Sequence, residues 1–304
     1  MPLLPAPAAP GGPDPRVDLY SLLIQLLNGV QYGLLLFLVA SGLTLIFGIM
    51  GIINLAHGSF YMIGAYLAFT LSSLTGSLLA AIALGTLLSV ILGIALEWAL
   101  FSRLYRRDHL QQVLLTYGLI LVFEEIRSLV AGNDVHGVQV PPALDASIRL
   151  TDTLSYPVYR LFMSGVCLVV AGLMYLLIHR TRVGMMIRAG ASNREMVQSL
   201  GLDINLVYRL VFALGVALAA FAGMIAAPVS SVYPGMGTQV LIICFVVVVI
   251  GGIGSVWGAL AAALLIGLVD TFGKVLLPQA AGLGVYLLMA VILLRRPEGL
   301  FRRT

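Results

Sequence analysis

Residues 237–273 read GTQVLIICFVVVVIGGIGSVWGALAAALLIGLVDTFG, a run in which only Asp270 carries a charge. A helix needs about 20 residues, at ~1.5 Å each, to cross ~30 Å of hydrocarbon. The run is too long for one crossing and short for two, and Gly251, Gly252 and Gly254 interrupt it. How it divides decides the architecture.

The rest of the chain is of the same kind. Of its 304 residues, 60% are hydrophobic and 10% charged, against about 25% charged in soluble domains. Most of the outer surface therefore faces a lipid bilayer, and the fold class is an all-α, polytopic integral membrane protein. Cys167 and Cys244 sit in apolar runs and suggest neither a disulfide nor a metal site. The net charge of +4 forms no basic stripe interleaved with aromatics, so nucleic acid is not an expected partner. Residues 1–18, MPLLPAPAAPGGPDPRVD, lack an apolar period and read as a flexible tail ahead of a membrane domain over 19–304. They have no positive n-region before a short apolar core, so they do not read as a signal peptide.

Further spans fall at about 20–47, 53–74, 78–101, 111–130, 158–179, 206–228 and 277–294. Arginines cluster in the joint 102–110 (Arg103, Arg106, Arg107), in the joint 180–205 (Arg180, Arg182, Arg188, Arg194) and after 294 (Arg295, Arg296, Arg302, Arg303). The positive-inside rule puts these three regions in the cytoplasm and the N-terminus outside. Parity then demands an odd number of crossings between 229 and 295. Splitting 237–273 at its glycines satisfies it and gives nine crossings, with eight (one segment re-entrant or mis-split) as the alternative. The piece 237–251 is too short to cross without its neighbours, which points to a broken region near a pathway.

Enzymatic constellations are scarce. His57, His109, His136 and His179 lie far apart, and no G-x-x-x-x-G-K-[ST] run occurs, so this chain is expected to hold neither ATP, a metal nor another cofactor. The intramembrane acids are Glu97, Glu124, Glu125 and Asp270. Glu124 has Arg127 three residues on and Asp270 has Lys274 four on, spacings for local pairs. The segment GIMGIINLAHGSFYMIGAY at 48–66 places Asn54, His57 and Ser59 beside Gly58 in an apolar span. Such groups must face protein or a path. Asn54, His57, Gly58 and the break at Gly251, Gly252, Gly254 and Ser255 are the candidates for path lining or hinging. The joint 182–205, RVGMMIRAGASNREMVQSLGLDIN, is amphipathic, and its pattern ends at Gly201, in the place of a C′ glycine. By pattern alone it suits either the headgroup surface or a groove of a soluble partner.

Three stretches, GLTLIFGIMGIINLAHGSFYMIGAY at 42–66, RAGASNREMVQSLGL at 188–202 and VIGGIGSVWGALAAALLIGL at 249–268, resemble signatures of the LivH-type permease subunit of branched-chain amino acid ABC importers. The resemblance covers nearly the whole chain beyond its tail. It implies a bacterial inner-membrane assembly with a second permease of LivM type, two cytoplasmic ATPases that use ATP, and a periplasmic substrate-binding protein. It makes 182–205 the cytoplasmic coupling loop, with Arg188, Ala189, Asn193, Glu195 and Gly201 on the motif positions. Val197 stands where the family more often has alanine. An ion-coupled secondary transporter shares Gly-interrupted helices but calls for midplane acids that are not evident here. A membrane-embedded enzyme lacks its clustered polar set.

Overall fold

The computed structural model describes residues 15–105, 107–149, 155–192, 194–199, 201 and 203–301. Among them run eleven α-helices: α1 (Pro15–Met50), α2 (His57–Thr75), α3 (Leu78–Ala99), α4 (His109–Ala131), α5 (Val158–Arg180), α6 (Arg182–Ser192), α7 (Arg194–Ser199), α8 (Ile204–Ser230), α9 (Met236–Gly251), α10 (Val256–Leu276) and α11 (Ala281–Arg295). A short antiparallel ribbon, β1 (Ser147–Arg149) with β2 (Ser155–Pro157), sits between α4 and α5. The all-α class is as expected. Helix α1 starts at Pro15, four residues inside the stretch read as a tail, and residues 1–14 lie outside the described residues.

Helices α1, α3, α5, α8 and α10 are each long and apolar enough to cross a membrane. Helices α9 and α11 are apolar but shorter. Helix α2 is diluted by His57, serines and threonines, and α4 by Glu124, Glu125 and Arg127. The apolar windows of α1 and α8 are 89% and 83% buried, against 28%, 22% and 28% for α3, α5 and α10. Helices α1 and α8 are therefore the central pair, and the others wrap them.

Small residues set the packing, because lipid tails are as apolar as leucine and helices associate through close backbone contact. A Cβ on Gly33 of α1 would stand 2.8 Å from the Ala263 carbonyl of α10, and one on Gly29 would stand 2.9 Å from Leu268, so these helices run antiparallel. Gly42 meets Gly215 where α1 crosses α8, and Gly93 of α3 meets Ala213.

The decisive run 237–273 forms two helices joined by a tight turn. Gly252 (φ 95°) and Gly254 (φ 79°) adopt backbone that suits glycine, and Ser255 Oγ accepts a hydrogen bond from the Gly258 N–H at 3.0 Å, capping α10. Gly48, near the end of α1, abuts Gly254. The chain after α11 returns to the same turn: the Leu300 and Phe301 N–H groups donate to the Ile250 and Gly251 carbonyls at 2.8 and 3.3 Å.

The local pairs form as their spacing implied, Glu124 with Arg127 at 3.1 Å and Asp270 with Lys274 at 2.5 Å. Glu97 is different. It is fully buried, its Oε2 lies 2.9 Å from Arg209 Nε of α8, and the Tyr105 hydroxyl donates to Oε1. Burial first, then the bond to Glu97, hold that hydroxyl well above the ordinary tyrosine value, so it stays a donor.

Candidate translocation path and coupling surface

The break between α1 and α2 is the first element of the site. Gly51 turns the chain with φ 68°, and residues 51–56 run back along α1 without helical structure. His57 Nε2 donates to the Val39 carbonyl at 2.9 Å. Val39 lies eleven residues before Met50, about 16 Å along the axis. Helix α2 thus starts deep in the molecule, not at its edge. Non-helical backbone at membrane depth survives only under protein or around a cavity; here Ile52, Asn54 and Ala56 are all buried. Asn54 Oδ1 accepts from the Ala56 N–H at 3.1 Å. Asn54 Nδ2 and His57 Nδ1, one donor and one acceptor, have no hydrogen-bond partner among the described residues. Gly58 lies against Gly237, so the first turns of α2 and α9 meet backbone to backbone.

Beyond this crossing, toward the start of α1 and the end of α10, opens a cavity of about 370 Å³. Five helices line it. Gln25, Asn28, Gln31 and Tyr32 come from one face of α1, Tyr61 from α2, Arg160 from α5, Ser230 from α8, and Asp270 with Lys274 from α10. Arg160 donates to Asn28 Oδ1 at 2.7 Å, and the Gln31 amide donates to the Met163 thioether at 3.4 Å. Lys274 also stands 5.6 Å from the centre of the Tyr32 ring. Sequence reading gave no site role to these residues. The signal was present: Gln25, Asn28 and Gln31 recur at three-residue intervals in an otherwise apolar helix.

Of the residues expected to couple, Arg188 and Ala189 lie on α6, Glu195 on α7 and Gly201 just after it; α6 packs against α1, α5 and α8, and α7 against α6 and α8. Gly184 brings α6 onto the Leu177 and Ile178 carbonyls at the end of α5, and the Arg188 guanidinium donates to the Ile178 carbonyl. That carbonyl belongs to the last turn of α5, where helices leave acceptors unpaired. Gly201 has φ 80°, as a C′ glycine requires. Met185 and Met196 are exposed, whereas Ile187 and Val197 are buried. The bulk of Val197 thus goes into the chain's own core and leaves the outer face unobstructed.

A family model described as "Branched-chain amino acid transport system / permease component" matches residues 25–294. The chain belongs to this permease family. Permease BraD of Pseudomonas aeruginosa is 31% identical over 94% of this chain and 97% of its own length. LivH of Escherichia coli K12 is 28% identical over 92% and 95%, and a probable LivH of Methanocaldococcus jannaschii is 30% identical over 90% of both. A solved structure, PsaBC from Streptococcus pneumoniae in complex with Fab, covers 88% of the chain at 14% identity and a TM-score of 0.47, too loose a likeness to bear on the fold.

In this permease the expected path residues fall in two places. Asn54, His57 and Gly58 converge at the α1–α2 break, and Gly251, Gly252, Gly254 and Ser255 form the α9–α10 turn. Helix α1 touches both, at Gly42 against His57 and at Gly48 against Gly254. Of the coupling set, Arg188, Ala189 and Gly201 are described; Asn193 lies outside the described residues, and Glu195 is in α7. Among the described residues no cluster of His, Cys, Asp and Glu suits a metal ion.

Proposed function

We propose that this permease forms half of the membrane path of an ABC importer that takes branched-chain amino acids into the cell. The match of residues 25–294 to the permease family carries the reading, and the substrate follows the names of the relatives BraD and LivH. Its partners are a LivM-type permease, two cytoplasmic ATPases that bind the ATP, and a periplasmic substrate-binding protein. The chain crosses the inner membrane nine times, with its N-terminus outside and its C-terminus in the cytoplasm. Helices α6 and α7 seat in clefts of one ATPase. Closure of the ATPases on ATP moves α6, and α6 is tied to the end of α5 and packs against α1. That motion passes along α1 to the α1–α2 break and the α9–α10 turn, opening the path to one side and then the other.

The test is purification of the permease with its ATPases and reconstitution in vesicles. ATP-driven uptake of L-leucine delivered by the binding protein is expected. Uptake driven by an ion gradient with no ATPase present overturns the reading in favour of a secondary carrier.

A further inference from the structure

We infer that the cavity between α1, α2, α5, α8 and α10 is a resting point for the transported solute that recognises both charges of an amino-acid zwitterion. Arg160 takes the carboxylate and Asp270 the ammonium group. The inference rests on the amino-acid reading above and adds a site to it.

Three observations carry it. The cavity holds fixed charges of both signs, Arg160 and Lys274 against Asp270, in a region where charges are costly and usually functional. A solute of one net charge matches only half of that lining; a zwitterion matches both. The charged groups also have capacity to spare. A guanidinium has five N–H donors, and among the described residues Arg160 spends one of them, on Asn28. Its planar fork suits a carboxylate held through two bonds. Asp270 holds Lys274 through Oδ2, and Oδ1 makes no hydrogen bond among the described residues. The Gln31 side chain, 5% exposed, has only a thioether as acceptor for its amide, a weak partner easily exchanged for a carboxylate oxygen. The third observation is the wall between the polar groups, where Leu35, Met163 and Ala226 offer an apolar surface for an aliphatic side chain. About 370 Å³ falls within the roughly 300–1,000 Å³ of small-molecule sites.

Lys274 has a different part. It is the most exposed of the three charged groups, with its side chain 63% accessible, and it neutralises Asp270 while no ammonium group is there. The separation of these roles makes the inference testable in the reconstituted importer. With saturating binding protein, Asp270→Asn and Arg160→Gln should each lower L-leucine uptake at least ten-fold, and Lys274→Gln should retain more than half. A pair that only braces α10 loses its function equally from either end. Equal losses in Asp270→Asn and Lys274→Gln therefore overturn the inference, as does undiminished uptake in Asp270→Asn or Arg160→Gln.

A second measurement leaves the three charged residues in place. Ser230 lines the cavity and is exposed, whereas Cys167 and Cys244 are buried. In an importer carrying Ser230→Cys, without binding protein, millimolar L-leucine should protect the new thiol from a maleimide. 4-Methylpentanoate and 3-methylbutylamine, which each lack one charged group, should not. Equal protection by all three, or by none, overturns the zwitterion site. Absence of leucine uptake by the unmodified importer refutes the substrate reading instead.

Discussion

Replacing Gly64 by alanine tests whether backbone contact between α2 and α8 holds the centre of this permease together. A Cβ there would fall within 2.6 Å of the Ala220 Cα and collide with the Ala220 carbonyl, and Gly223 approaches the Tyr61 carbonyl in the same way. The obstacle is backbone, so no side-chain rotation relieves it. Alanine is better than glycine in a helix interior by about 0.8–1.0 kcal/mol. Overpacking costs about 1–3 kcal/mol, here toward the upper end, because the backbones of α2 and α8 must part. The net expectation is a loss of roughly 1–2 kcal/mol. Gly118 of α4 supplies the control, since no atom lies within 4 Å of its added Cβ. There the propensity gain stands alone, about 0.8–1.0 kcal/mol of stabilisation. Titration of detergent-solubilised protein with a denaturing surfactant, followed by circular dichroism, should separate the two variants by roughly 2–3 kcal/mol. A Gly64→Ala variant as stable as Gly118→Ala would refute the packing argument.

Other expectations follow from particular contacts. Arg209→Ala strands the Glu97 carboxylate, whose side chain is 0% exposed, and should cost about 3–5 kcal/mol. Glu97→Gln leaves an arginine with 33% exposure to rehydrate and should cost about 1–2 kcal/mol, so reversed ranking in the same titration contradicts the assignment. His57→Phe keeps a ring against Phe60 but forfeits the bond to Val39, a loss of about 1 kcal/mol; a gain in stability contradicts it. Arg188→Ala combined with Glu195→Ala should lower both leucine uptake and transport-linked ATP hydrolysis while membrane insertion stays intact. Undiminished uptake removes the coupling role. For the proposed orientation, Asp134→Cys should react with a membrane-impermeant maleimide from outside the cell, and Asp203→Cys only in inverted vesicles; the reverse pattern contradicts it.

The division of 237–273 was legible because glycines with no Cβ are the cheapest place to turn a chain, and three of them sit together there. The Glu124–Arg127 and Asp270–Lys274 pairs were legible for a similar reason, being one helical turn long. What the sequence hid is what depends on distant partners. Arg209 is 112 residues from Glu97 and Arg160 is 132 from Asn28, and no periodicity links them. The cavity leaves no local pattern in the sequence because its lining is shared among five helices, each contributing only a few polar groups. Arg188 read as a residue for the ATPase, and its neighbour turned out to be the end of α5, an acceptor that appears only when α6 folds back.

The hydrogen bonds from Leu300 and Phe301 to the last carbonyls of α9 bear on the order in which the chain is completed during synthesis. Until those residues emerge from the ribosome, the acceptors of Ile250 and Gly251 wait unpaired at the α9–α10 turn. A nascent chain arrested before residue 299 would leave the Ile250 and Gly251 carbonyls without these two donors, and the segment after α11 is what supplies them.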